Sequence, residues 1–230
     1  MSTTTTTTNL QPITLYGKGG PNPPKVETLL QELSLPHVIH PIPITDVKTP
    51  AYLAINLNGR LPAIHDPNTG LTLWESGAIL LYLVERYDPT HKLSFPPGSD
   101  EAQLARQWLF FQASGQGPYY GQAVWFERYH HEKLPSAVER YKKEIRRVTG
   151  VLEGQLAREK EKWEGKEGWD GPWLVGGKMS FVDLAFVAWQ VAVFKLFGEG
   201  RGIEEGEFPL VREWIGKMMA RESVKKAVVF

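Results

Sequence analysis

Glu75 and Ser76 stand just before Ile79, Leu80, Leu83, Val84 and Tyr87, apolar residues at helical spacing, so a carboxylate and a hydroxyl fall at the first turn of a helix. A helix N-terminus gathers unpaired N–H groups and the positive end of a dipole, which makes it an anion site. As residue chemistry alone, Ser76 equally suits a helix cap and Glu75 a favourable first-turn charge. Upstream, Leu61-Pro62 opens a short apolar run, and a proline there suits the start of an edge strand. Asn22-Pro23 is a second local signal, an N-cap residue followed by proline at the first helical position. The sequence holds no cysteine, which excludes disulfides, thiolate metal sites and a Cys nucleophile. Any thiol chemistry must borrow its thiol. His130-His131-Glu132 lacks the spacing of a zinc-binding helix, and no metal is expected.

The elements that must position these residues are legible in order. Residues 1–10 carry six consecutive threonines and suggest a disordered tail. Ile13 to Tyr16 is a short strand, Gly17 to Pro24 a loop, and Val26, Leu29, Leu30 and Leu33 mark a helix ended by Pro36. His37 to Ile44 alternates around Pro41 and Pro43, as an edge strand does. A helical turn near Thr49 to Ile55 precedes two apolar runs, Leu61 to His65 and Leu71 to Trp74, joined as a hairpin by Asp66-Pro67-Asn68-Thr69-Gly70. Residues 11–88 therefore form an α/β unit of order β-α-β-(α)-β-β-α, and the proline-rich residues 89–99 form a linker.

Residues 100–230 show helix signals only. Gly115, Gly117 and Pro118 should bend or break the first of these helices. Val138, Tyr141, Ile145, Val148 and Leu152 stripe a long one, and the charge run from Arg158 to Gly171 suits a solvated helix end and loop. Ser180-x-x-Asp183 is a capping box, with Met179 and Leu184 at the staple positions, opening a helix apolar on nearly all sides.

Composition bounds the function. Of 230 residues, 42% are hydrophobic, enough for a sizeable core. Lys+Arg and Asp+Glu both number 26, so no net field draws the chain to nucleic acid. Neither a membrane-length apolar run nor a signal peptide is visible, and a cytoplasmic address follows by default.

Taken together, the α/β unit, Leu61-Pro62, Glu75-Ser76 and the helical half with its Ser-x-x-Asp box resemble the glutathione transferases. Gly20-Pro21-Asn22, the run Leu73 to Leu81, Trp108 to Gly115, Ala137 to Tyr141 and Trp173 to Lys178 look most like the fungal class named after the yeast nitrogen-catabolite repressor. The resemblance implies a thioredoxin-like N-terminal domain, an all-α C-terminal domain for the second substrate and dimerisation, and glutathione as co-substrate. It implies that Leu61-Pro62 is a cis peptide whose backbone pairs with glutathione like an added strand. Ser76 would receive the γ-glutamyl carboxylate and Glu75 its ammonium, with Arg60 near the glutathione backbone or glycyl carboxylate. Where members of the class carry a histidine before the second helix, this sequence has Val47, with Lys48 beside it as a substitute cation.

The usual hydroxyl that activates the thiol aligns near Gly20, and the class resemblance points instead to Asn22 as the catalytic residue. An amide can donate to a thiolate but cannot take its proton. Its oxygen could accept from the helix while its NH2 faces sulfur. Tyr16 is a rival hydroxyl, assigned to the core. Tyr119, Tyr120, Trp125 and Phe126 are candidates for the electrophile pocket, since aromatic residues line such pockets but also fill cores.

Asn22 in place of a hydroxyl, with a general similarity to bacterial disulfide-bond reductases that also carry Asn-containing loops, tilts the reading from conjugation of electrophiles towards reduction of peroxides and mixed disulfides. A homodimer with the third and fourth helices near its interface is implied. The alternative is a glutathione-binding regulator of a transcription factor with little catalysis, though without an Asn/Gln-rich prion extension. A translation-factor accessory domain would need a further domain beyond Phe230.

Overall fold

A computed structural model describes residues 10–198, 200–204 and 206–229. The threonine run of the expected disordered tail lies outside the described residues. The chain begins β1 (Ile13–Tyr16), α1 (Pro23–Glu32), β2 (His37–His40), α2 (Pro50–Leu53), β3 (Ala63–Asp66), β4 (Leu71–Trp74), α3 (Ser76–Tyr87). The strands form one mixed sheet in the order β2-β1-β3-β4, with β1 parallel to β2 and both other pairs antiparallel. A parallel neighbour needs a crossover, which α1 supplies, whereas β3 and β4 need only the turn at residues 67–70. β2 stops at His40, short of the anticipated Ile44, because Pro41 and Pro43 have no N–H for a ladder.

The hairpin register does the positioning. Ala63 pairs with Trp74 and Ile64 with Leu73, so one step further along the same register brings Pro62 opposite Glu75. The hairpin is tied to α3 through Asp66, whose Oδ2 accepts from the Tyr82 and Tyr87 hydroxyls at 2.6 and 2.5 Å. Burial pushes the Asp66 carboxyl up, but these hydrogen bonds and those from Asn68 outweigh it and hold the group below the usual carboxylate range.

After α3 every described element is helical: α4 (Asp100–Phe111), α5 (Gly117–Arg128), α6 (Pro135–Trp163), α7 (Phe181–Phe197), α8 (Pro209–Met219) and α9 (Glu222–Ala227). Gly115, Gly117 and Pro118 do not break the first helix. Instead a π-helical turn, Gln112–Gln116, joins α4 to α5 without a gap. The Gly117 N–H donates to the Gln112 carbonyl, the i→i+5 spacing of a π-turn, and Pro118 has no N–H to offer the Ser114 carbonyl.

α7 runs through the centre of the helical half, and most of its residues are buried. Its capping box is formed: Ser180 N–H donates to Asp183 Oδ2 at 2.9 Å, while Ser180 Oγ accepts from Val182 N–H at 3.4 Å. Glu32 at the end of α1 accepts two bonds from Arg221, at 2.8 and 2.7 Å, and one from Ser223, clamping the sheet-bearing half to the α8–α9 corner. No described helix is long and apolar enough to cross a membrane.

Candidate functional site

A cleft of about 650 Å³ opens between the two halves. Its sheet-side wall is Asn22 and Lys25 from the start of α1, Asn56 and Arg60 to Pro62 from the loop before β3, and Glu75 to Gly77 from the start of α3. Its helical wall is Gln112 and Ala113 of the π-turn, Gly117, Pro118, Gly121, Gln122 and Trp125 of α5, and Trp189 of α7. The two signals, which enter and leave the hairpin at its open end, therefore share one wall.

The Leu61-Pro62 peptide is cis, as the resemblance implied. Its approach is braced by hydrogen bonds from the neighbouring chain. The Arg60 carbonyl accepts from the Tyr52 hydroxyl at 2.8 Å and from Asn56 Nδ2 at 2.7 Å, and Asn56 Oδ1 in turn accepts from Asn58 N–H at 2.9 Å. Gly59 has φ of +58°, and a Cβ there would lie 2.5 Å from the Val47 carbonyl oxygen. Only glycine allows that approach.

Lys48, the anticipated substitute cation, does not line the cleft. It is exposed and its ammonium donates to the Asn58 carbonyl at 2.7 Å, because the tight turn at Gly59 brings that oxygen within reach.

Ser76 is the first residue of α3 rather than its cap; Glu75 occupies the cap position at φ 71°, ψ 111°, with no side-chain cap bond. A non-glycine residue at positive φ costs roughly 1–3 kcal/mol and is retained where a site needs the geometry. Here it turns the chain from β4 into α3 with Glu75 exposed and Ser76 half-buried on the cleft wall.

Asn22 does not cap α1 with its side chain. A cap bond needs an N–H at the second or third helical residue. Pro24 at the second has none, and Lys25 N–H at the third lies 3.3 Å from the Asn22 carbonyl oxygen. The side-chain oxygen accepts instead from the indole N–H of Trp189, 3.0 Å away on α7. Since an indole only donates, the amide is oriented: oxygen to Trp189, NH2 left for the cleft.

Of the four aromatic candidates only Trp125 lines the cleft. Tyr120 is fully buried, its hydroxyl bonded to Thr149 Oγ1 at 2.9 Å and Gln190 Oε1 at 3.1 Å, so it belongs to the core. Burial raises its pKa, against the opposing effect of those bonds. Tyr119 packs on Tyr141 and under Arg147, and Phe126 stacks on Tyr141, both turned towards α6. Tyr16 is half-buried against the edge of His40, not in the core, and does not line the cleft.

The cleft residues that escaped the sequence reading include Lys25, Asn56, Gln112 and Trp189. Lys25 had a usable signal, since it falls four and eight residues before Leu29 and Leu33 and so lies on the apolar stripe of α1.

Comparison with known proteins bears on this geometry. The family model described as the glutathione S-transferase N-terminal domain matches residues 20–86, and that of the C-terminal domain matches residues 118–222. A glutathione S-transferase-like protein of Aspergillus fumigatus, tpcF, is 61% identical over 96% of each chain. The chain belongs to the glutathione S-transferase family. Its fold is accordingly the family's, a thioredoxin-like N-terminal domain and a helical C-terminal domain. Among solved structures, the transferase resembles URE2P6 of Phanerochaete chrysosporium in complex with oxidized glutathione (TM-score 0.84, 44% identity, 95% of each chain). It also resembles Ure2p in complex with glutathione (TM-score 0.86, 38% identity, 95% of this chain and 94% of that one).

Proposed function

We propose that this transferase binds glutathione along the sheet-side wall of the cleft and uses its thiol to conjugate electrophiles or to reduce peroxides and mixed disulfides. The observation that carries the reading is the oriented amide of Asn22, held by Trp189 on the same wall as Leu61-Pro62 and Ser76. The Leu61 backbone would pair with the peptide, Ser76 and the first turn of α3 would take the γ-glutamyl carboxylate, and Glu75 its ammonium. Arg60 would serve the glycyl end.

A free thiol titrates near pH 8.5, so most of it is protonated at neutral pH. An N–H donated by Asn22 favours the thiolate and lowers that value, while the proton leaves to water. The thiolate then forms a bond to an electrophilic carbon and expels the leaving group, or to a disulfide sulfur and expels a thiolate. Gly117 and Gly121, which carry no side chain, and Trp125 would border the second substrate. The reductive activity is the one we favour, on the general similarity to bacterial disulfide-bond reductases that also carry Asn-containing loops. We also propose a homodimer, for which Leu71 and Trp74 on β4 and Leu104 and Phe110 on α4 supply exposed apolar surface.

Turnover with an aryl halide beside turnover with a glutathione mixed disulfide, in wild type and Asn22→Ala, tests the reading. A mixed-disulfide rate that falls at least tenfold in the variant, with thiolate absorbance lost, is expected. Equal rates in the two proteins would sink the role of Asn22. Tight glutathione binding without turnover in either assay would favour the regulator.

A further inference from the structure

Lys25 is 2% exposed, yet it reaches the cleft wall. Its ammonium donates to Gln112 Oε1 at 2.8 Å and lies 3.4 Å from Ser76 Oγ. The Gln112 acceptor is itself set by a directional chain. Gln112 Nε2 donates to Gln116 Oε1 at 3.1 Å, Gln116 Nε2 to Gln190 Oε1 at 3.2 Å, and Gln190 Nε2 to Thr149 Oγ1 at 3.0 Å. Lysine can only donate, so the sense of every amide in this buried row is consistent with a cation at its head.

The protein therefore builds a place for an ammonium and then compensates its charge poorly. Burial lowers the Lys25 pKa to about 7, only partly opposed by the negative charge of Glu75. A buried cation of this kind lacks an anion. We infer that the missing anion is the α-carboxylate of the γ-glutamyl group, and that Lys25 is the residue that selects ligands carrying it. The inference rests on the glutathione reading of the cleft.

By donating to Ser76 Oγ, Lys25 turns the Ser76 O–H outward, where it can donate to a carboxylate, and adds its own charge behind that contact. Ligand binding then restores the ammonium, so binding takes up a proton above pH 7 and affinity falls as pH rises. The other charged groups on this wall are Glu75, at the start of α3, and Arg60, before β3. The π-turn contributes Gln112, α7 contributes Trp189, and α1 contributes Asn22, none of which titrates.

The test compares S-methylglutathione, which has no thiol to titrate, with the same compound built on 4-aminobutanoic acid, which lacks only that carboxylate. Calorimetric titration of wild type is expected to show affinity for S-methylglutathione falling about tenfold from pH 6.5 to 8.5, with close to one proton taken up per site at pH 8. The analogue should take up far less. In Lys25→Met the S-methylglutathione affinity at pH 6.5 should drop at least tenfold and lose its pH dependence, while that of the analogue stays within twofold. Equal weakening of both ligands, or of neither, overturns the inference, as does equal proton uptake for the two ligands in wild type. The wild-type arm decides the matter if the variant fails to fold. A wild type that binds neither compound overturns the glutathione reading itself, and this inference with it.

Discussion

Replacing Asp183 with alanine tests what holds α7, the helix that carries Trp189 to the cleft. The Asp183 side chain is fully buried and accepts from Ser180 N–H at 2.9 Å, Leu174 N–H at 3.1 Å, Trp214 Nε1 at 2.9 Å and the Ser180 hydroxyl at 3.2 Å. Alanine leaves three N–H donors without an acceptor, and each such donor costs about 1–3 kcal/mol, roughly 6 kcal/mol in the middle of the range. Against this stands the relief of a buried charge. Burial pushes the Asp183 carboxyl up to about 6 in spite of its donors. That displacement of roughly two units corresponds to about 3 kcal/mol of penalty on the ionised form at neutral pH. The difference is a net loss of about 3 kcal/mol, or a melting temperature about 10 °C lower for a chain of this length. Asparagine keeps one oxygen for Leu174 and Trp214, removes the charge and strands only Ser180 N–H, so by the same reckoning its stability should stay within about 1 kcal/mol of wild type. Urea unfolding of wild type, Asp183→Ala and Asp183→Asn at pH 7, followed by tryptophan fluorescence, gives the ranking. Alanine and asparagine variants of equal stability, or an alanine variant within about 1 kcal/mol of wild type, would show that the acceptors do not hold this corner.

Tyr120→Phe should cost about 1–2 kcal/mol by removing the hydroxyl from Gln190 and Thr149, with KM for the second substrate unchanged within twofold; a raised KM would return Tyr120 to the pocket. Gly59→Ala forces a Cβ against the Val47 carbonyl at positive φ, so about 1–3 kcal/mol of stability should go, together with several-fold of S-methylglutathione affinity measured by calorimetry. For Glu32, burial raises the pKa, but the bonds from Arg221 and Ser223 outweigh it and the group lies below its usual value. A depressed carboxylate stabilises above its unfolded pKa of about 4.3 and loses that contribution as pH falls through the folded value. The gap in urea midpoint between wild type and Glu32→Gln should therefore be full at pH 7 and close on acidification below about pH 4. A gap that persists there would mean the clamp acts through packing rather than charge.

Local signals carried several elements of the chain well. The hairpin, the start of α3 and the capping box at Ser180 depend on residues within a few positions of one another, which is the range over which turn chemistry, proline and periodicity act. The same locality explains what went astray. Asn22 reads as a cap because Pro23 follows it, yet Pro24 removes the N–H that a cap would use, and the acceptor is satisfied by a tryptophan on α7. Gly115, Gly117 and Pro118 read as a bend or break, and the chain there stays helical through a π-turn packed against α7. Tyr119, Tyr120 and Phe126 sit near Trp125 in sequence, but helical geometry turns them towards α6 and the core and leaves Trp125 at the cleft.

The amino-acid order alone therefore determined the α/β and helical halves, the absence of a cysteine nucleophile, and the placement of Leu61-Pro62 and Glu75-Ser76 at the same end of one hairpin. The second is composition, and the others follow from contacts between near neighbours. Which polar groups the cleft owns was decided only when the halves packed together. Lys25 meets Gln112, and Asn22 meets Trp189, across long stretches of chain. A lysine on an apolar stripe and three glutamines on separate turns have no periodic signature. They become a charged, directional row only where α1, the π-turn and α7 exclude water and leave each donor one acceptor.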